Sequence, residues 1–251
     1  MRAALVVLAV GLATPTEAER LVSTVSNPNV AINSSFEGAG VSLFGNILPD
    51  LNSPTGIAAG PYNIVITVTG PSQDRVARVK TNSLGIWSNT DQQIFTLFPS
   101  YYAVIASGRL GDIADPATLE RYAVLPGAQA ALAAKSDTLK AERFGLELVR
   151  MMEEEGHLSV NEDGVQFLSD TAYTARVNLP SDVANGPFIA HTMVFKNSVL
   201  VAERSDGFTV RKSGFERDVF LTARQQPLLY GLACVLLAVA TGWLAGVVFR
   251  R

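Results

Sequence analysis

The uncharged stretch near the end of the chain constrains its folding more than any other feature. Residues 227–249 contain no charged side chain and precede Arg250 and Arg251. At about 1.5 Å of helical rise per residue, about 23 residues cover roughly 34 Å, enough to cross a hydrocarbon core of about 30 Å. A buried helix of a soluble protein, the alternative, seldom needs so long an apolar run. We therefore predict a transmembrane helix over residues 227–249, with residues 250–251 as a cytoplasmic tail.

The N-terminal residues have the pattern of an export signal. Arg2 precedes an apolar run over residues 3–13, and Thr16-Glu17-Ala18 supplies a small-x-small ending. These features are typical of a secretory signal peptide, and the run is too short to span a bilayer comfortably as an uncleaved anchor. We predict a signal peptide over residues 1–18, which would place the ectodomain outside the cytoplasm and the C-terminus inside it.

Charge and cysteine usage exclude several classes of function. The net charge is -3, without a block of lysine or arginine, which argues against a nucleic-acid-binding surface. The single cysteine, Cys234, lies within the predicted span. The ectodomain therefore has no intrachain disulfide, no thiol nucleophile and no cysteine-ligated zinc. Its roughly 200 residues are enough to form a hydrophobic core without such links.

Residues 19–108 have the pattern of short strands. The clearest strand covers residues 62–69, where every second side chain is apolar: Tyr62, Ile64, Ile66 and Val68. Further strands are predicted over residues 30–33, 41–44, 75–80, 94–98 and 101–105. Strands separated by turns about every 10 residues indicate an antiparallel, Ig-like β-sandwich.

Residues 109–156 are predicted to form a helical insertion. Asp115 followed by Pro116 is a favourable helix start, and this helix should end near Pro126. A second helical region is predicted over residues 136–155. Its core-facing stripe would consist of Leu139, Phe144, Leu148 and Met152.

Alternation returns over residues 157–212, a second β-rich, Ig-like segment. Residues 161–164 predict a hairpin turn, and residues 188–195 and 199–211 predict a further hairpin. Residues 172–179 alternate with Tyr173, Ala175, Val177 and Leu179 facing inward. The segment is either a small domain of its own or the completion of the first sandwich. Residues 213–226 are predicted to form a juxtamembrane helix.

The sequence contains few residues in patterns typical of catalytic or metal-binding sites. Neither His157 nor His191 has a second histidine at metal-ligand spacing, and no hydrolase, phosphate-loop or dinucleotide motif occurs. A metal site formed by His157 with Glu153, Glu155 or Asp163 is an alternative to a solvated acidic helix end. We predict a protein that is not an enzyme, with no catalytic residue, cofactor or metal.

Small residues recur within the predicted span. Cys234, Ala238, Gly242 and Gly246 are four residues apart, and the last two form a GxxxG pattern. Such a face lets a second helix approach closely, although small residues are also common in spans that do not associate. Our hypothesis is a helix-association face that pairs with itself or with a larger membrane protein.

Several segments carry a family resemblance. The most specific are Lys212-Ser-Gly-Phe-Glu-Arg217, Gln226-Pro-Leu-Leu-Tyr-Gly231, Gly242-Trp-Leu-Ala245 and Phe249-Arg-Arg251. The chain resembles the Alph_Pro_TM family of alphaproteobacterial transmembrane proteins, whose function is uncharacterised. It departs from the family at Asn197-Ser198, where the hairpin usually carries Asp-Gly.

The resemblance implies a single-span protein of the inner membrane with a periplasmic ectodomain, and it supplies no catalytic residues. Family members are often encoded beside sulfite-exporter-like permeases, which implies such a permease as a partner. The leading hypothesis is therefore a non-enzymatic accessory protein that works beside a membrane protein such as a transporter.

Two alternatives stay open. A periplasmic module that binds a small solute or an anion would need a deep pocket lined by aromatic residues such as Trp87, Tyr101 or Tyr102. An enzyme would need an unrecognised site around His157 or His191, with buried acids nearby.

Overall fold

Most of the chain between the two termini forms strands. The computed structural model describes residues 19–32, 38–50, 56–134, 138–212, 219 and 222–248. The predicted signal peptide over residues 1–18 lies outside these residues, as does most of the predicted juxtamembrane helix. The strands are β1 (Arg20–Val25), β2 (Asn29–Ile32), β3 (Ala39–Leu48), β4 (Asn63–Thr69), β5 (Ser72–Ser83), β6 (Ile86–Pro99), β7 (Tyr102–Ala106), β8 (Leu158–Asn161), β9 (Val165–Phe167), β10 (Ala172–Leu179), β11 (Gly186–Lys196) and β12 (Val199–Lys212).

Two sheets pack face to face and confirm the predicted β-sandwich. One sheet has the order β1-β3-β10-β9 and the other the order β2-β12-β11-β4-β7-β8. Strands from both β-rich stretches pair within each sheet, so residues 157–212 complete the first sandwich. Two pairs, β2 with β12 and β7 with β8, are parallel in the otherwise antiparallel arrangement.

The six-stranded sheet is buried on both faces. In β4 the side chains of Ile64, Ile66 and Val68 face the four-stranded sheet, as the alternation predicts. Val65 points the other way, into a second core that helices cover. These helices are α1 (Leu110–Ile113), α2 (Pro116–Arg121), α3 (Pro126–Ala134) and α4 (Leu139–Glu154).

The helical insertion differs from the prediction at two points. The Asp115 carboxylate accepts a hydrogen bond from the Thr118 backbone N–H at 2.6 Å, which confirms the N-cap. Pro126 begins α3 instead of ending a helix, because proline suits the first helical position. Leu139 is 80 % exposed at the start of α4, so its predicted place in the core is wrong. Phe144, Leu148 and Met152 are buried as predicted.

The turn over residues 161–164 does not close a hairpin. The strand before it, β8, pairs with β7 in the six-stranded sheet, whereas β9 pairs with β10 in the other sheet. Leu158 belongs to the helix-covered core and Val165 to the sandwich core, so the turn carries the chain between layers. Gly164 is required there, because a Cβ would lie 2.3 Å from the Ile105 side chain.

The hairpin formed by β11 and β12 confirms the prediction. Its turn residues Asn197 and Ser198 have φ values of 50° and 63°. Positive φ at both central positions is typical of a type I′ turn, which Asp-Gly sequences also favour. Asn197 and Ser198 therefore adopt the turn type that an Asp-Gly sequence favours.

The C-terminal helix α5 (Pro227–Val248) corresponds to the predicted span. Its residues Pro227–Val247 are long and apolar enough to cross a membrane, and none of the most apolar part is buried against other described residues. An exposed helix of this composition has the character of a membrane anchor.

We predict that Phe95→Ala destabilises the ectodomain by about 3–5 kcal/mol, because Phe95 is 0 % exposed in the helix-covered core. Leu97→Ala is the matched control: Leu97 is 69 % exposed two residues away, so a change within about 0.5 kcal/mol is expected. Chemical unfolding of the detergent-solubilised chain measures both. Equal stability of the two variants would contradict the assignment of Phe95 to the core.

Candidate interaction surface

A long two-stranded hairpin stands apart from both sheets. Among the described residues, strands β5 and β6 pair only with each other, and we call residues 72–99 the arm. At about 3.3 Å per residue, strands of this length extend for roughly 40 Å. Its base is fixed where the Ser100 N–H donates to the Pro71 carbonyl at 3.0 Å.

The first part of the arm packs on the helices. Phe95 and Phe98 insert into the helix-covered core, 6.4 Å apart in an edge-to-face arrangement. Asp91 forms an ion pair with Lys140 at the start of α4. The hydrogen bond from the Lys140 ammonium holds the pKa of the Asp91 carboxyl below its usual range. These contacts fix the direction of the arm along α4.

The remainder of the arm has no cover among the described residues. Every residue from 78 to 92 whose side chain is described is exposed. An isolated two-stranded hairpin is at best marginally stable in water. Local bonds support this one: the Thr81 and Thr90 hydroxyls lie 2.6 Å apart, and the Gly85 N–H donates to Asn82 at 2.9 Å. The outer part of the arm is therefore stabilised mainly by its own strand pairing and these local bonds within the described part of the chain.

The turn at the tip holds a leucine in an unfavourable conformation. Leu84 and Gly85 have φ values of 53° and 84°, as in a type I′ turn. Asparagine or glycine normally occupies the first position, and the left-handed conformation costs another L-residue about 1–2 kcal/mol. Leu84 is also 104 % exposed. A residue that is both strained and fully exposed points to a use other than folding.

One face of the arm combines apolar and basic side chains. Because side chains alternate along a strand, Val76, Arg78, Lys80 and Asn82 share the face that points away from the helices. Trp87 lies directly opposite Asn82 on the neighbouring strand. Trp87 is 67 % exposed, and Ile86 beside it is 70 % exposed. Because Ile86 and Trp87 are adjacent in β6, their side chains lie on opposite faces, and it is Trp87 that shares a face with the two cations.

The helical layer contains an apolar cleft between α3 and α4. Its volume is about 770 Å³. Alanine and leucine side chains form most of the lining, among them Ala131, Leu132 and Leu146. Two acidic residues, Glu120 and Glu142, also line it. Leu139 faces this cleft, which explains its exposure.

The aromatic residues proposed for a solute pocket do not converge. The Tyr101 hydroxyl donates to the Asn178 carbonyl at 3.0 Å, and the Tyr102 hydroxyl donates to the Val124 carbonyl at 3.0 Å. Burial raises the pKa of Tyr101 to about 12 and raises that of Tyr102 as well. Both tyrosines are core residues whereas Trp87 lies at the arm tip, so these three do not line a common pocket.

The two histidines lie apart. His157 Nε2 is 3.1 Å from Asp182 Oδ1, and its Nδ1 is 3.4 Å from Glu155 Oε2. His191 faces Glu203 at 3.3 Å on the neighbouring strand. Within the described ranges no group of three or more His, Cys, Asp or Glu side chains could hold a metal ion. The metal alternative at His157 therefore gains no support.

The predicted association face of α5 is accessible in this structure. Cys234, Ala238, Gly242 and Gly246 are all exposed. Outside the backbone of the helix itself, a Cβ built on either glycine meets no atom of the described residues within 4 Å. Its pairing with another helix stays a prediction.

Sequence reasoning identified parts of the arm as strands but missed its independence. The available signal was the polar character of both faces between Arg78 and Gln92. A strand that packs on a core on one face alternates, so polarity on both faces indicates that neither face is covered. The apolar tip then stands out against its polar surroundings.

We predict that Leu84→Asn raises the free energy of unfolding by about 1 kcal/mol, because asparagine tolerates positive φ. Ile86→Thr, the control, removes a similarly exposed apolar side chain without relieving strain and should give no gain. Thermal unfolding of the full chain compares them. A loss of stability in Leu84→Asn would contradict the strained turn.

Comparison with known proteins supplies a family but no established activity. No curated protein matches the chain. One similar solved structure is ACE19, the collagen binding subdomain of Enterococcus faecalis surface protein ACE. Its sequence is 8% identical to this chain, and the TM-score is 0.16. The alignment covers 76% of this chain and 95% of that chain. A TM-score this low supports no argument about function. The family described as "Putative transmembrane protein (Alph_Pro_TM)" matches residues 20–251, so the chain belongs to this family.

Proposed function

We propose that this chain is a non-enzymatic accessory protein of the inner membrane that holds a β-sandwich in the periplasm and acts by binding other envelope proteins. Family membership and α5 establish the membrane association that this proposal needs. The orientation follows from the predicted signal peptide. The exposed apolar tip of the arm is the observation that carries the binding role.

The tip has the composition of a binding hot spot. Leu84, Ile86 and Trp87 expose large apolar side chains on one projecting element. Clustered exposed apolar groups are uncommon on soluble surfaces without a function, and tryptophan is enriched among residues that dominate binding energy. The position of these groups beyond the packed layers leaves them accessible to another protein.

The span supplies a second surface for contact. A membrane partner such as a sulfite-exporter-like permease, or another copy of this chain, would pack on the face formed by Cys234, Ala238, Gly242 and Gly246. Two contacts on one tethered chain act together, because the first raises the effective concentration for the second.

The alternative function is the binding of a small solute. The α3–α4 cleft favours it, since a concave apolar site of about 770 Å³ is within the usual range for small ligands. Glu120 and Glu142 in its lining favour an apolar or cationic solute over an anion. A ligand that raises the melting temperature in proportion to occupancy would support this function.

We predict that the double variant Leu84→Asn, Trp87→Ser loses at least about tenfold of any co-purifying envelope protein, because it removes the apolar tip. Affinity purification of the full chain from native membranes, followed by mass spectrometry, measures this. Val22→Ser is the matched control, since Val22 is 51 % exposed on β1, away from the arm. An unchanged set of partners in the double variant would contradict the proposal.

We predict that Gly242→Leu with Gly246→Leu weakens association of the span, because the added side chains fill the small-residue face. A membrane two-hybrid reporter carrying the full chain measures it. Ala240→Leu adds a comparable side chain elsewhere on α5 and should have little effect. Equal association in both variants would remove the small-residue face as a contact.

A further inference from the structure

We infer that the arm of one copy binds the α3–α4 cleft of a second copy of this chain. The inference rests on the proposed interaction function and names its partner. It concerns the ectodomain and does not depend on packing between spans.

The two surfaces are complementary in polarity. The tip exposes Leu84 at its turn and Trp87 on the face of the two cations, and the cleft is an apolar depression. On the helices, Leu132 and Leu139 are 66 % and 80 % exposed at the cleft. Bringing the two together removes exposed apolar area from water on both sides, which is the main favourable term in association.

The charges beside these apolar groups are also complementary. Arg78 and Lys80 follow the tip on the arm, and Glu120 and Glu142 line the cleft. No ion pair with a described residue involves any of these four side chains. Cations on one surface and anions on the other steer association and fix its register.

The spacing of charge and apolar group agrees on the two surfaces. Lys80 lies two residues from Asn82, the cross-strand partner of Trp87, which separates cation and ring by about 7 Å along the strand. On α4, Glu142 is three residues from Leu139 and four from Leu146, so these side chains are neighbours about 5–6 Å apart. Trp87 can therefore occupy the cleft while Lys80 reaches Glu142.

The arm does not fill the cleft of its own chain. Its base packs on α3 and α4, and Asp91 already lies beside Lys140 at the start of α4. The tip lies about 15–20 Å further along the strands. No residue of the arm is among the described residues that line the cleft, so we assign the cleft to the arm of another molecule.

Reciprocal exchange of arms gives a closed dimer. Each copy offers one arm and one cleft, so a two-fold axis satisfies both at once. Tethering by α5 places copies in one plane and raises their effective concentration. The uncovered part of the arm then gains the packing that an isolated hairpin lacks.

A charge-reversal cycle in the full chain tests the inference. Lys80→Glu and Glu142→Lys are each expected to weaken the dimer about tenfold in detergent micelles, because each places like charges together. The combined variant should return to within about threefold of the original, which no folding defect would produce. Glu153→Lys, on the exposed end of α4 outside the cleft, is the matched control and should change nothing. Analytical ultracentrifugation gives the dissociation constants.

Cysteine crosslinking supplies a second readout. In a Cys234→Ala background, Trp87→Cys with Ala131→Cys should yield an oxidised dimer, whereas Val22→Cys with Ala131→Cys should not. Absence of the crosslink would overturn the inference, as would a dimer insensitive to both charge reversals or a chain that stays monomeric. If the tip variant still loses a different co-purifying protein while the chain is monomeric, the proposed function stands and only this inference falls.

Discussion

Burial of the six-stranded sheet on both faces is the constraint on which the other features depend. Val65 and Ile66 are adjacent in β4, both 0 % exposed, and they belong to different cores. One core holds the two sheets together, and the other holds the helices. Phe95 and Phe98 anchor the arm by inserting into this second core. Without the helical layer, neither the anchor of the arm nor the α3–α4 cleft would exist.

Unfavourable backbone conformations occur in the arm, which is the least covered part of the described structure. The sandwich has hydrophobic side chains on all inward positions of β10, whereas the arm combines exposed strands with two leucines at positive φ, Leu84 and Leu97. Natural proteins often retain strain at functional positions, because selection acts on binding as well as on stability. The charged residues follow the same pattern. Arg78 and Lys80 on the arm and Glu120 and Glu142 at the cleft form no ion pair within the described part of the chain.

Sequence reasoning succeeded where the determining interactions are local. Alternation placed Ile64, Ile66 and Val68 on one face, and Asp115 was identified as an N-cap by its own chemistry. It failed where contacts between elements far apart in sequence determine the structure. The turn over residues 161–164 joins two sheets, and Leu139 faces the cleft. Of the candidate site, the sequence indicated the strands of the arm but not its projection, since the uncovered faces follow from the position of the helices.

The sequence by itself determined the span, the β-rich class and the main turns, because apolar length, period and turn chemistry are properties of neighbouring residues. It also determined which small residues lie together on α5, since a helix places residues four apart on one face. Only the tertiary structure decided which strands share a sheet, because pairing joins residues far apart in sequence. It also decided that the arm tip is uncovered by other described residues and that an apolar cleft with acidic residues opens between α3 and α4. Those surfaces result from the packing of layers, and no local sequence pattern predicts that packing.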